Sequence, residues 1–557
     1  MDIHNSDTII QVNFIMFIWY VIKCLSFKIA IEKLCVKYKT ENLVVKFFWK
    51  KLYILQSDIH VKKILSKDAE SQLTYVNDIF FSSHGHKFGI GNLNYHNSPC
   101  LWQEVHSALT KAVNFHDLPK LMEDNFDIFL KRSVFSLNDN LEEYIMTIWS
   151  KFSFGLDTDV AKYKIMRSLL ITTIRKTYYN QSTNYIPFIG KLLSHIRLRK
   201  HQKDFKRVDL ILGDLILNGN DGLIQRFATN LAESNDKEVI ENIDKIVLDN
   251  AFLNVLVFDF IYIFLLNAMV HIAKNSIDDY NERMNNKKEY IKGAFLFPIR
   301  FRKIGNDIDI FKKGDYAIIN LISSDLFFSF GPRTCIGRGF VDKFYKTFFD
   351  LVKNYKFRFV DKTQEIAYNN NCNIPIIISN HKIRIEYDKD YLKKNLKHYE
   401  HKGMTEFYSV ESIPQDVVLF DFIIEKMCNI IQNIGNIHGI ITAEARGFIF
   451  ASPVANKLLS RLYLVRKKGK LAGPVHQITY KKEYDEYETL EIQKDINLIN
   501  QNNIIIDDGI ASGSTTDAMY QLSKMTGANI LAVIVCVKHH YTECKYDTTP
   551  VYNIFDL

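Results

Sequence analysis

Residues 504 to 515 read Ile504-Ile505-Ile506-Asp507-Asp508-Gly509-Ile510-Ala511-Ser512-Gly513-Ser514-Thr515, an apolar run, two acids and then a loop of small residues. Three consecutive isoleucines suit a strand buried on both faces, as in the middle of a parallel sheet. The small residues that follow let a backbone turn approach a ligand closely. The N–H groups of Ala511 to Thr515, the hydroxyls of Ser512, Ser514 and Thr515 and the start of a following helix would then converge on a phosphate. The two acids stand where sugar hydroxyls beside that phosphate would be held. A generic strand-to-helix turn has the same outline, so the flanking sequence has to decide between the two.

Working outward, Ile437–Thr442 and Ile530–Val537 are further short apolar runs, and with Asn503–Ile506 they give strands alternating with helical patterns, the grammar of a parallel α/β sheet. Three more segments lie between the first and second of them. These are Glu444-Ala445-Arg446-Gly447-Phe448, then Arg466-Lys467-Lys468-Gly469-Lys470-Leu471-Ala472-Gly473, then Tyr480-Lys481-Lys482-Glu483-Tyr484 with Leu490-Glu491-Ile492-Gln493-Lys494-Asp495. In this order, together with the phosphate loop, they resemble the adenine phosphoribosyltransferases, a group of the type I phosphoribosyltransferases.

The resemblance implies a Rossmann-like α/β fold over residues 403–557, with adenine and phosphoribosyl pyrophosphate as substrates and Mg²⁺ accompanying the latter. It places Arg446, Arg466, Lys467 and Lys470 beside the polyphosphate, Asp507 and Asp508 at the ribose, and Ala511, Ser512, Gly513, Ser514 and Thr515 around the 5′-phosphate. Glu483 would manage charge and a proton at the purine, with Tyr484 closing over it, and a homodimer would form through this domain. Some positions depart from the family pattern. Ser512 and Ser514 replace a commoner Thr and Gly, Tyr408 and Ser409 stand where a basic residue and an Asp are usual, and the tail to Leu557 is expected to lack part of the last helix and strand.

The first two thirds have a different texture. From Phe47 to Asn275 apolar residues recur at three- and four-residue spacing, which predicts helix after helix, and small strands are expected between Ile299 and Ile322 and at Pro375–Ile378 and Ile383–Ile385. The segment Phe328-Ser329-Phe330-Gly331-Pro332-Arg333-Thr334-Cys335-Ile336-Gly337 resembles the cysteine-ligand loop of the cytochrome P-450 family, and Trp102-Gln103-Glu104-Val105-His106 resembles that family's helix to a haem propionate. What this implies is a mainly α fold with small sheets over residues 47–387. Haem b would be bound there, with Cys335 as iron ligand and Arg333, Phe328, Trp102 and His106 around the macrocycle, and a redox partner would be needed. Lys292 and Phe295 occupy the places of that family's Glu and Arg, and Val257 to Tyr262 offers no threonine for proton delivery, so monooxygenase chemistry is not expected to survive. A haem-dependent oxidoreductase with an auxiliary nucleotide domain, and a non-catalytic sensor, are the competing readings.

Bulk properties bound the rest. The chain has 557 residues, 47% hydrophobic and 24% charged, enough for two or more packed cores. A net charge of +8 without a basic block argues against nucleic acid as a partner. Eight cysteines without a CxxC pair give neither a zinc ribbon nor a disulfide framework, consistent with a cytoplasmic protein. Residues 1–46 are expected to form an N-terminal helical segment in which 8–22, marginal in length, is either a membrane anchor that leaves the bulk in the cytoplasm or an ordinary buried helix, and the polar, lysine-rich 388–402 is expected to link the two domains.

Overall fold

The computed structural model describes residues 8–24, 27–47, 50–66, 72–73, 99–113, 116–174, 189–288, 290, 299–304, 306–313, 315–320, 335–361, 368–369, 376–377, 381–387, 396, 398–401, 404–408, 410–481, 487–538 and 549–556. They fall into two compact units. One comprises residues 1–129, 136–353 and 361–381, and the other 130–135, 354–360 and 382–557.

The first unit combines long helices with a six-stranded sheet. Strands Ile9–Val12, Asn42–Phe47, Lys50–Leu55, Tyr316–Asn320, Ile299–Lys303 and Gln72–Leu73 lie in that spatial order. The strands at Asn42–Phe47 and Lys50–Leu55 correct the expectation that helices begin at Phe47, because Leu43 and Val45 pair with Ile54 and Leu52 to bury one sheet face. The 8–22 stretch is likewise divided. Asn13 accepts a hydrogen bond from the Ile15 N–H through its side chain and opens the helix Phe14–Cys24, while Ile9–Val12 pairs in parallel with Asn42–Val45. Val12 and Phe17 share a core with Leu34 and Leu43.

The helical stretch Lys237–Asn275, kinked at Asn242, starts where Asp236 accepts from the N–H groups of Glu238 and Val239. It is long and apolar enough to cross a membrane, yet its apolar window is 69% buried within the protein. Leu137–Phe154 packs beside it, with the Trp149 indole N–H donating to the Asn254 carbonyl at 3.1 Å.

The second unit holds a seven-stranded sheet built from β1 (Gly439–Ala443), β2 (Arg461–Lys467), β3 (Val475–Lys481), β4 (Tyr487–Gln493), β5 (Asn502–Ile510), β6 (Asn529–Lys538) and β7 (Val551–Asp556), in the order β3-β4-β2-β1-β5-β6-β7. The helices are α1 (Val417–Ile434), α2 (Arg446–Leu458) and α3 (Ser514–Met525). Strands β2, β1, β5, β6 and β7 are parallel, and the β3–β4 hairpin joins antiparallel to β2. Counting only the parallel strands, the order is two-one-three-four-five, the doubly wound arrangement in which the chain leaves β1 and β5 toward opposite sides. Ligands in such sheets bind at the carboxyl ends of those two strands. Strand β7 corrects the expectation of a missing last strand: Val551 pairs with Val533 and the inward Phe555 is 4% exposed.

Segments far upstream complete this unit. Lys356–Phe359 and Lys382–Glu386 pair antiparallel, and Val134–Ser136 joins them in a three-stranded sheet. The Asp421 carboxylate on α1 accepts from the Ser133 N–H at 2.7 Å and its hydroxyl at 2.8 Å, and Tyr387 packs edge-on to Phe422, which stacks on Phe555. Within the stretch expected to be a linker, His398–His401 pairs with Met404–Tyr408. A chain shortened to 403–557 loses the Ser133 donors and the Tyr387 ring. At about 2 kcal/mol for a part-buried acceptor deprived of its donors, its thermal melt lies about 5 °C below that of the same unit in the full chain. Equal melting of the two would show that the upstream strands add no stability.

Candidate functional site

The carboxyl ends of β1 and β5 bring together most of the C-terminal residues singled out from sequence. Ile504, Ile505 and Ile506 are fully buried, and the strand carries Asp507 and Asp508 to its end, 5% and 7% exposed. The Asp508 N–H donates to Asp507 Oδ1 at 3.0 Å. Both carboxyls titrate above the usual range. Burial is the larger cause for each, and the Asp508 charge adds to it at Asp507. At Asp508 the nearby Arg446 guanidinium opposes the rise.

Arg446 is the first residue of α2, directly after β1. Its Nε lies 3.0 Å from Asp508 Oδ2 and its guanidinium 3.4 Å from Glu411 Oε1. Gly447 follows because nothing larger fits: a Cβ there would come within 2.5 Å of Thr442 Oγ1 and 2.8 Å of Asp507 Oδ1.

After β5 the chain turns through Ala511, Ser512 and Gly513 into α3. Gly513 has φ +83°, a left-handed conformation that suits glycine. Ser512 Oγ lies 3.1 Å from Ser514 Oγ and accepts from the Ser514 N–H at 3.4 Å. The first turn of α3 thus presents backbone N–H groups, the positive end of the helix dipole and the hydroxyls of Ser514 and Thr515 at one point.

The basic residues close the other side. Arg466 and Lys467 end β2, and Glu444 Oε2 accepts from Arg466 Nε at 2.7 Å and from the Lys467 N–H at 3.2 Å. These bonds, that of Arg466 first, hold the Glu444 carboxyl below its ordinary range. Gly469, at φ +76°, donates its N–H to Glu491 Oε2 at 2.9 Å, and Lys470 N–H donates to the Lys467 carbonyl at 3.1 Å, which fixes the tight basic turn. Lys467 Nζ pairs with Glu488 Oε1 at 2.8 Å.

Sequence reasoning missed the acids that face these cations. Glu488 had a signal, since it shares a strand face with the inward Leu490 and Ile492 and is polar where its neighbours are apolar. Glu411 had none, being a surface residue of a 3-10 turn whose partner is 35 residues away. Glu483, Tyr484 and Ser409 lie outside the described residues.

In the first unit, Trp102 and His106 stack at 4.6 Å on one face of the helix Pro99–Ala112, and burial lowers the His106 pKa. Cys335 precedes the helix Arg338–Leu351 and is exposed. Arg333, Phe328 and residues 291–298 lie outside the described residues. A haem thiolate needs its sulfur on the floor of a deep apolar pocket. Instead Cys335 is exposed, and on the long helix expected to cover an oxygen site Phe258 is packed under the Arg167 guanidinium, 3.8 Å from its ring. Of the residues expected around haem, Cys335, Trp102 and His106 are among the described ones, and the haem reading is unsupported. Among the described residues no group of three or more His, Cys, Asp or Glu is placed to hold a metal ion.

No family model matches the chain. Among curated proteins it is similar to the adenine phosphoribosyltransferase of Mycoplasmopsis synoviae, 34% identical over 149 residues, 27% of this chain and 85% of that protein. It is also similar to that of Mycoplasma mobile, 33% identical over 161 residues, 28% of this chain and 91% of that protein. A solved adenine phosphoribosyltransferase from Thermoanaerobacter pseudethanolicus is matched over 30% of this chain and 100% of its own, with 27% identity and a TM-score of 0.29.

Proposed function

We propose that this chain, which belongs to the adenine phosphoribosyltransferase family through a domain covering about 30% of its length, transfers the phosphoribosyl group of phosphoribosyl pyrophosphate to adenine, giving AMP and pyrophosphate. The observation that carries this reading is the convergence of the Asp507–Asp508 pair, the Ser512–Thr515 turn and the Arg466–Lys470 turn around the ends of β1 and β5.

The 5′-phosphate sits on the first turn of α3, with Ser512, Ser514 and Thr515 donating. Asp507 and Asp508 accept from the ribose hydroxyls, and Arg446, Arg466, Lys467 and Lys470 face the pyrophosphate. As the bond from the sugar carbon to pyrophosphate breaks and that to the purine nitrogen forms, the carbon becomes cation-like and the purine gives up a proton. A carboxylate suited to both tasks is Glu483, with Tyr484 beside it. Mg²⁺ bound with the substrate would neutralise charge on the departing pyrophosphate. The paired carboxyls fit a nearby divalent cation, since burial disfavours bare charge on both and the Asp508 charge disfavours it further on Asp507.

The test is AMP formation from labelled adenine, phosphoribosyl pyrophosphate and Mg²⁺ by the full-length protein. AMP is expected, with about a hundredfold loss in Glu483→Gln. A folded protein that makes no AMP would overturn the reading. Nothing favours haem chemistry as a second one.

A further inference from the structure

A chain of four polar groups crosses the floor of the proposed site from one phosphate region to the other. Thr515 Oγ1, in the first turn of α3, lies 3.1 Å from Tyr480 Oη at the end of β3. Tyr480 Oη donates to Glu488 Oε2 on β4 at 2.9 Å, and the other oxygen of that carboxylate pairs with Lys467 Nζ on β2 at 2.8 Å. The direction of the protons follows from the chemistry. A carboxylate only accepts, so the single Tyr480 hydroxyl proton goes to Glu488, and Tyr480 receives that of Thr515. Burial, helped by the Glu488 charge, keeps the phenol protonated.

Thr515 and Lys467 are the two groups in this chain that the proposed function assigns to different phosphates. Thr515 has one hydroxyl proton, so it serves a phosphate oxygen only by turning that proton away from Tyr480. Tyr480 then loses a donor that polarises its own bond to Glu488, and the carboxylate depends more on Lys467 for its charge balance. Lys467 Nζ has three donors and holds Glu488 Oε1 at 2.8 Å, so the more tightly it is held there, the less of its charge and reach it offers a pyrophosphate.

We infer that Tyr480 and Glu488 are positioning residues that make the two phosphate subsites antagonistic: filling the 5′-phosphate subsite at Thr515 tightens Glu488 on Lys467 and weakens pyrophosphate at the basic turn. This rests on the phosphoribosyl reading and deepens it. Its consequence is a bias in product release, since a nucleotide still seated on α3 helps pyrophosphate leave.

The experiment is calorimetric titration of Mg²⁺-pyrophosphate into the full-length protein, with and without saturating ribose 5-phosphate, for the natural sequence, Tyr480→Phe and Glu488→Gln. The two anions repel each other in all three proteins, so the comparison between proteins isolates the relay. Ribose 5-phosphate is expected to weaken pyrophosphate binding about fivefold more in the natural protein than in either variant, at the low end of ordinary coupling between sites. Tyr480→Phe should still bind ribose 5-phosphate by itself. Equal antagonism in natural and variant proteins would overturn the relay while leaving the transferase reading intact. Failure of the natural protein to bind ribose 5-phosphate would overturn the phosphate assignment and the relay with it. Glu488→Gln decides the matter if Tyr480→Phe does not fold, because its amide keeps one oxygen to accept from Tyr480 and replaces the charged oxygen that holds Lys467 with an uncharged NH2.

Discussion

Replacing Asp507 and Asp508 together with asparagine is expected to lower the proposed AMP formation about a thousandfold and to raise the melting temperature of the C-terminal unit by a few degrees. The first effect follows from the loss of both negative charges, and of one oxygen from each side chain, at the proposed ribose contacts as positive charge develops on the sugar; one such electrostatic contact is worth about a hundredfold or more, and a coupled pair less than the product. The second follows from proton linkage. Both carboxyls titrate above the ordinary aspartate value in the folded protein, so the folded state binds protons more tightly than the unfolded chain does. Stability therefore falls as pH rises from the ordinary aspartate value of 3.8 through the raised folded values, and at neutral pH the charged pair destabilises the fold. Asparagine removes that cost. Arg446 loses a partner in Asp508, but its side chain is 42% exposed and water replaces much of the pair. Thermal melts of natural and variant proteins at about pH 5 and pH 8 check this: the difference between them should widen at the higher pH. A variant that melts lower at both would show that the acids support the fold.

Gly447→Ala is expected to damage both fold and activity. The added Cβ meets Thr442 Oγ1 at 2.5 Å and Asp507 Oδ1 at 2.8 Å, and neither neighbour can step aside, Thr442 being fully buried and Asp507 5% exposed. Overpacking of this kind costs about 1–3 kcal/mol. The shift imposed on Asp507 would misplace the proposed ribose acceptor, and displacements of about 1 Å cost about a hundredfold in rate. Steady-state AMP formation and a denaturant titration read the two effects separately. Adding Thr442→Ala removes the tighter clash, so the double variant should regain part of the stability and little of the activity. Recovery of both together would place the damage at Thr442 alone.

The parts legible in sequence were those written in neighbouring residues. Ile504 to Ile506 announce a central strand, and the following small residues announce a tight turn, because strand burial and turn chemistry act over a few positions. The same locality sets a limit elsewhere. The ten residues around Cys335 resemble a haem loop, but a haem pocket needs surfaces contributed from distant helices, and a local motif says nothing about whether those surfaces are present. Nor could the three residues of Val134–Ser136 reveal that their unit closes around Asp421, since pairing across such a distance leaves no periodic trace. Glu411 and Glu488 were hidden for the same reason: an acid is recognised as part of a site by the cation opposite it.

The bond between Ser133 and Asp421 spans 288 residues of chain. On a ribosome adding roughly 5 to 20 residues per second, the strand that carries Ser133 emerges on the order of 15 to 60 seconds before its acceptor exists. During that interval the Ser133 N–H and hydroxyl have no Asp421 to accept from them, so synthesis from the N-terminus leaves this strand waiting, and the C-terminal unit closes only near the end of translation. Nascent-chain accessibility at Ser133 would therefore remain high until α1 has cleared the exit tunnel.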